Sequence, residues 1–340
     1  SATGDITVAD TSQLDFESAS SFTLELEVIS EGNLADTAIA TITLNDLNEA
    51  PTVLNQSFSI DENSANATPV GTIVATDVDA GTTLTYSVTG GTGNTAFSVD
   101  AATGAIAIAD TSQLDFESNS SFTLDIEVSD GSLTDTASIT VNINDINETP
   151  TVLNQSFSID ENSPNTISLG TLIATDPDND SLTFAATGGT GASAFGINAT
   201  TGSITVIDSA QLDFEASPNF TLNVEVSDGS LTDTAIATIN LNDLNEAPIV
   251  TAQSLSLDEN SAAGTSVGSA IATDPDSDTL TFAALGGTGI SAFGVNATTG
   301  EITVVNPALL DFETNPNLTL IVEASDGTLT DSATIAIAID

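Results

Sequence analysis

The chain has 340 residues, 40% of them apolar; 49 are Asp or Glu, none is Lys, Arg, His, Cys, Met or Trp, and the formal charge is −49. Without cationic side chains it cannot displace counterions from phosphates or sit on anionic lipid, which excludes nucleic acid and charged membrane surfaces as partners. Lack of Cys removes disulfides and thiolate sites, lack of His removes the commonest general base, and what remains is hard oxygen chemistry suited to Ca²⁺ or Mg²⁺.

An ordinary apolar fraction argues for folded domains, two to four at this length, and against charge-driven disorder. So much like charge destabilises a compact state unless the carboxylates are spread, screened or clamped by bound cations. No run of about 18 apolar residues offers a membrane span, and no basic-then-apolar leader opens the chain.

In chain order, residues 1–46 carry Thr3-Gly4 and Leu14-Asp15-Phe16-Glu17. At Ala50 begins Ala-Pro-Thr-Val-Leu-Asn-Gln-Ser-Phe-Ser-Ile-Asp-Glu-Asn-Ser, copied from Pro150 onward and in diverged form after Pro248. Leu-Asp-Phe-Glu returns at Leu114, Leu212 and Leu310, and Thr-Gly at Thr103, Thr201 and Thr299. One period is about 100 residues, the length of a sandwich domain. The expected units are 1–46, the later half of a repeat, then 47–145, 146–243 and 244–340. A half-sandwich cannot cover its own sheet face, so residues 1–46 are expected to depend on polypeptide before Ser1.

Within a unit apolar residues alternate, as Phe122, Leu124, Ile126 and Val128 do against Thr123, Asp125, Glu127 and Ser129. Period two predicts strands with one buried face. Similar runs lie around Phe157-Ile159, Leu169-Ile173, Leu182-Phe184, Phe195-Ile197, Ile204-Val206, Phe220-Val226 and Ile236-Leu241, about seven strands per unit. Turn signals such as Gly188-Gly189-Thr190-Gly191 and Asp228-Gly229 separate them, and no useful helix-period segment occurs. The expected fold is all-β, an antiparallel sandwich repeated in tandem with short linkers, so that neighbours sit end to end.

The acids fall at predicted strand ends. Around Pro150 the candidates are Glu62, Asp115, Glu117, Asp145, Asn147 and Glu148 before the proline and Asp176, Asp178 and Asp228 after it. If those ends meet, their carboxylates repel one another and require cations, and the oxygens suffice for two or three Ca²⁺. Asp176-Pro-Asp178-Asn-Asp180 is not an EF-hand loop, because Ser181 and Thr187 stand where Gly and Glu are needed.

Here the sequence resembles a known family. Asp61-Glu62-Asn63, Leu114-Asp115-Phe116-Glu117, Asp145-Ile-Asn147-Glu148-Thr-Pro150 and Asp176-Pro-Asp178 are similar, in order and three times over, to the motifs of cadherin repeats of the bacterial surface-protein type. The resemblance implies seven-stranded Greek-key, immunoglobulin-like sandwiches joined end to end, with calcium at each linker. It carries the ligand role to Asp15, Glu17, Asp46, Asn48, Glu49, Asp77, Asp79 and Asp130 at the first linker. At the third it carries that role to Glu161, Asp213, Glu215, Asp243, Asn245, Glu246, Asp274, Asp276 and Asp326. The linker is one residue shorter than the family's, with Glu where Asp is usual.

The implied function is a calcium-stiffened extracellular stalk or spacer of an adhesin or matrix protein. Self-assembly into filaments, as in a biofilm matrix, and calcium-dependent carbohydrate binding are the alternatives. Catalysis is disfavoured: carboxylates held by calcium are poor general acids, and a sugar-processing cleft would want Trp or several Tyr where this chain has one Tyr and no Trp.

Overall fold

Alternation becomes paired strand throughout the computed structural model, which describes residues 3–340. The chain divides into a first unit ending at Glu148 and a second spanning Thr149–Asp340. Among the described residues the helical elements are single 3₁₀ turns such as Thr111–Gln113, where Asp110 caps the turn by accepting from the Ser112 N–H.

The first unit opens with β1 (Ser21–Ile29) and β2 (Ala35–Thr43), an antiparallel pair in continuous register. Leu24 and Leu26 on β1 are 39% and 38% exposed, whereas Leu124 and Ile126, their counterparts one repeat later, are 0% exposed. The second pair is covered by an opposing sheet, and a strand buries its apolar face only when another layer packs on it.

That covered repeat comprises β3 (Thr52–Val53), β4 (Gln56–Asp61), β5 (Pro69–Thr72), β6 (Ala75–Thr76), β7 (Thr85–Gly90), β8 (Phe97–Val99), β9 (Ala105–Ile108), β10 (Ser121–Ser129) and β11 (Thr134–Asn144). The sheets are β4-β11-β10-β7 and β5-β9-β8, with the ribbon β3-β6 at one side. First and last long strands, β4 and β11, lie parallel and the rest pair antiparallel, which is the crossed connectivity of a Greek-key sandwich. Val53, Ile73, Phe97, Ile106, Leu114, Leu124, Ile126, Ile139 and Val141 fill the space between the sheets. Phe97 meets Phe122 edge to face at 5.7 Å.

Seven predicted strands are nine observed ones, because the first and second are each broken. Gln56 accounts for the break: its amide donates to the Leu54 and Val74 carbonyls and accepts from the Val74 N–H, a side chain standing in for ladder bonds. The second unit repeats the plan twice. Gln155–Asp160, Asn219–Ser227, Thr232–Asn242 and Thr183–Gly188 form one four-stranded sheet; Gln253–Leu257, Asn317–Ser325, Thr330–Ile339 and Thr281–Gly286 form the other. Each has its own buried cluster, around Phe195, Leu222 and Ile239 and around Phe293, Leu320 and Ile337.

One turn in every covered repeat requires glycine. Gly189 has φ +106°, and a Cβ there would lie 2.2 Å from the Thr221 carbonyl oxygen. Gly189→Ala is therefore expected to destabilise its repeat by about 3 kcal/mol or more, read from thermal unfolding, because both the backbone angle and a fixed main-chain atom oppose the methyl group.

Candidate metal centres

Each predicted acid follows from a strand end or a tight loop. In the first unit, Glu17 comes from the loop before β1, Asp46 and Glu49 from the segment after β2, and Asp79 from the loop after β6. One carboxylate oxygen from each of these four lies within 4.8 Å of the others. The linker backbone is tied in: Glu49 N–H donates to Asp79 Oδ2 at 2.9 Å, and Asp79 N–H donates to Asp77 Oδ1 at 2.8 Å. Asn48 donates its side-chain amide to Asp130 Oδ2 at 2.6 Å.

At the far end of that unit, Glu62, Glu117 and Glu148 bring carboxylate oxygens within the same 4.8 Å. Asp115 lies in the Glu117 loop, and Asp145 and Asn147 precede Glu148, with Asn147 Nδ2 donating to the Glu148 carbonyl at 3.1 Å. Glu62 is buried, its Oε2 accepting from the Phe116 N–H and its Oε1 from the Ile146 N–H, each at 2.8 Å. Asp176, Asp178 and Asp228 belong to the second unit, where Asp176 Oδ1 accepts from the Asp180 N–H and Asp228 Oδ1 from the Leu231 N–H.

Within the second unit the arrangement recurs. Glu161, Glu215 and Asp243 form one group and Glu215, Glu246 and Asp276 another, so Glu215 is shared. Glu246 N–H donates to Asp276 Oδ2 at 2.8 Å, and Asn245 Nδ2 to Asp326 Oδ2 at 2.8 Å. Glu161 is 1% exposed and accepts from the Phe214 and Leu244 N–H groups.

The chemistry of these donor sets fits calcium. Asp77, Asp176 and Asp274 each have one oxygen held by the backbone and the other, Oδ2, buried with no hydrogen-bond donor; Glu246 Oε2 is likewise buried and undonated. A buried carboxylate oxygen without a donor is costly, and the chain has no cationic side chain to offer. Hard oxygen donors, several per site and mostly carboxylate, are what Ca²⁺ takes.

Electrostatics agrees. Lost hydration, then the charges of Glu17, Asp79, Asp46 and Asp15, raise the Glu49 carboxyl above its usual range. Lost hydration pushes Glu246 up to about 6; the Asn162 amide opposes it, and Glu161, Asp276 and Glu215 add to it. Asp243 is raised by lost hydration and by Asp276 and Glu161. The turn acids go the other way: the Leu133 N–H and the Asn48 amide lower Asp130, and the Asn245 amide with the Leu329 and Thr328 N–H groups lower Asp326.

A pH dependence follows. The folded chain holds the Glu246 proton more tightly than the unfolded chain does, so this group's penalty is absent below the ordinary 4.5 and complete above about 6. With calcium chelated, the repeat carrying Glu246 is expected to melt higher at pH 5 than at pH 7. With calcium present the order should reverse, because protons then compete with the ion. Thermal melts at both pH values, with and without chelator, give the sign directly.

Some acids do work that their spacing did not announce. Asp15 Oδ1 accepts from the Glu17 and Ser18 N–H groups and Oδ2 from the Ser18 hydroxyl, so both oxygens serve their own loop. Asp213 Oδ1 accepts from the Ala216 N–H in the same way. Asp130-Gly131 heads a four-residue loop between β10 and β11, and Asp130 both shapes it and reaches Asn48. Asp135, Asp233 and Asp331, absent from the predicted set, accept from the Val53, Val152 and Val250 N–H groups and pin the first strand of each repeat. Their constant position in Thr-Asp-Thr or Thr-Asp-Ser was the available signal.

Comparison with known proteins completes the picture. The Cadherin domain family matches residues 56–144, 155–242 and 253–340. Mouse Protocadherin Fat 4 is 31% identical over 93% of the chain, and human Cadherin EGF LAG seven-pass G-type receptor 2 is 30% identical over 72%. The chain spans 7% and 9% of those two proteins' lengths. Among solved structures, Protocadherin Gamma B2 extracellular cadherin domains 1-5 superimposes with a TM-score of 0.73 at 23% identity, covering 96% of this chain and 67% of that one. Mouse Cadherin-23 EC22-24 gives 0.66 at 23% identity, covering 86% and 99%. The two curated relatives are animal proteins, and the narrower likeness to bacterial surface proteins draws no support from them. With the matched segments covering most of the chain and each containing its own two-sheet core, the chain belongs to the cadherin-domain family.

Proposed function

We propose that the chain is a calcium-binding segment of an extracellular structural or adhesion protein, a stalk or spacer in which ions at the linkers fix one repeat to the next. The observation that carries this reading is the set of buried, undonated oxygens of Asp77, Asp274 and Glu246, placed beside acid clusters in a chain with no cation of its own. The proposed repeats are 47–145, 146–243 and 244–340, preceded by the later half of another at 1–46. Extracellular placement fits the family, and no described helix is long and apolar enough to cross a membrane.

At the first linker Glu17, Asp46, Glu49 and Asp79 would hold the ions, with Asp15, Asn48, Asp77 and Asp130 around them. At the third the corresponding set is Glu161, Glu215, Asp243, Glu246, Asp274 and Asp276, with Asp213, Asn245 and Asp326. Glu62, Asp115, Glu117, Asp145, Asn147 and Glu148 would hold calcium at the end of the first unit, and Asp176, Asp178 and Asp228 are proposed ligands within the second. Two or three Ca²⁺ per linker match the oxygen supply and bring the local charge near zero. Bound calcium supplies the positive charge that the chain lacks; its side chains supply the geometry.

The test is local. Glu215→Gln with Asp243→Asn is expected to weaken calcium-dependent protection from hydrogen exchange at residues 243–250 by about 100-fold in calcium concentration, through loss of two ligand charges. Protection at residues 46–53 should not change. Equal loss at both segments, or none at either, contradicts the assignment.

Self-association is a second reading with one observation behind it. Leu54 and Val74, and again Leu153 and Ile173, are each about two-thirds or more exposed at the same ribbon of successive repeats. Carbohydrate is weaker, since one Tyr and no Trp leave little to stack on a sugar ring. A shift of sedimentation coefficient with protein concentration in calcium, lost in Leu54→Ser and Leu153→Ser, would favour self-association.

A further inference from the structure

The linker glutamate is an awkward ligand. Glu49, Glu148 and Glu246 stand where the family motif has Asp, and the extra methylene gives each carboxylate one more rotor to fix before an ion can bind. Two of the three meet a side chain that the ligand motifs do not assign. Asn63 Nδ2 donates to Glu148 Oε1 at 2.6 Å, and Asn162 Nδ2 donates to Glu246 Oε1 at 2.5 Å.

The backbone makes these contacts possible. Asn63 and Asn162 have φ +56° and +55°, the left-handed region that Asn tolerates better than other residues with a Cβ. Each follows a buried glutamate, Glu62 or Glu161, and its own N–H donates to the carbonyl of Leu114 or Leu212. A single turn thus aims a buried carboxylate at the loop and linker amides and an amide at the linker carboxylate. In the third linker the amide occupies Oε1, while Glu246 Oε2 is buried without a donor beside Glu215 and Asp276.

We propose that Asn63 and Asn162 are positioning residues for calcium, each holding one oxygen of the linker glutamate so that the other faces the ion. The left-handed turn supplies the direction and the amide supplies the hold. Glycine there would keep the turn and lose the hold. Aspartate would keep the turn and set a like charge against the glutamate.

The inference rests on the calcium reading, and the experiment separates the two. Hydrogen exchange on the 340-residue chain, titrated with Ca²⁺, gives a protection midpoint at residues 243–250 and another at residues 46–53, where the first linker offers Glu49. Asn162→Gly is expected to raise the 243–250 midpoint about tenfold, the loss of one charge-assisted hydrogen bond, and Asn162→Asp about 100-fold. Neither should move the 46–53 midpoint, and in chelator Asn162→Gly should melt within about 3 °C of the unsubstituted chain, since glycine suits the turn. If Asn162 mattered only for backbone angle, Gly and Asp would both leave the midpoint in place, and that result overturns the proposal. Equal shifts at both segments, a global loosening, overturn it too. No calcium protection in the unsubstituted chain would instead defeat the calcium reading itself.

Discussion

Millimolar calcium is expected to raise the melting temperature of the chelated chain by about 10 °C or more. By linkage, ions that bind folded linkers and not the unfolded chain contribute about 2.7 kcal/mol each at a hundred times their dissociation constant, and a domain near 100 residues gains several degrees per kcal/mol. The acid groups exist only when the loops before β1 and after β6 and the linker residues are in place, so the unfolded chain has no equivalent sites. Simple screening makes a different forecast. At −49 the chain repels itself, and any salt relieves that, but sodium would need molar concentrations to reach what calcium does at millimolar. Melting in chelator, in 1 M sodium chloride and in 2 mM calcium distinguishes them. Equal effects of sodium and calcium at matched ionic strength would reduce the clusters to patches of surface charge.

The sequence made some of this visible and hid the rest for physical reasons. Phe122, Leu124, Ile126 and Val128 alternate with polar residues and all four are buried, because a strand's faces are separated by the geometry of the chain itself. The acid clusters were legible because the same four motifs recur at fixed intervals, so each copy supports the others. The broken first and second strands were not, since the break depends on Gln56 reaching across to Val74, eighteen residues away, and a glutamine in an alternating run reads as an ordinary exposed position. Nor does spacing tell an acid that caps its own loop from one that faces a site. Asp15 and Glu17 are neighbours in one motif, yet Asp15 spends both oxygens on its own turn while Glu17 joins three other carboxylates. Asn63 and Asn162 were hidden for a related cause: their partners lie 85 and 84 residues downstream.

Glu161→Ala is expected to cost its repeat about 3 kcal/mol even in chelator, more than the loss of any exposed linker acid. Glu161 is 1% exposed and its two oxygens accept from the N–H groups of Phe214, in the Leu-Asp-Phe-Glu loop, and Leu244, in the linker. Removing the side chain leaves two donors unsatisfied, each worth about 1–3 kcal/mol if they stay buried. The melting temperature of that repeat should fall by about 15 °C. Glu259 offers an internal contrast, because it is less buried and receives the Phe312 N–H at 3.4 Å, a longer and weaker bond. Glu259→Ala should therefore cost about 1 kcal/mol or less. Glu161→Gln sharpens the point: one amide oxygen can still accept, but the nitrogen must face a second N–H, so it should recover part of the loss and no more. If Glu161→Ala and Glu259→Ala were equally mild without calcium, Glu161 would be a ligand alone. A large loss in chelator identifies it as the brace that joins loop to linker before any ion arrives, and explains why a carboxylate is kept at a position almost closed to water.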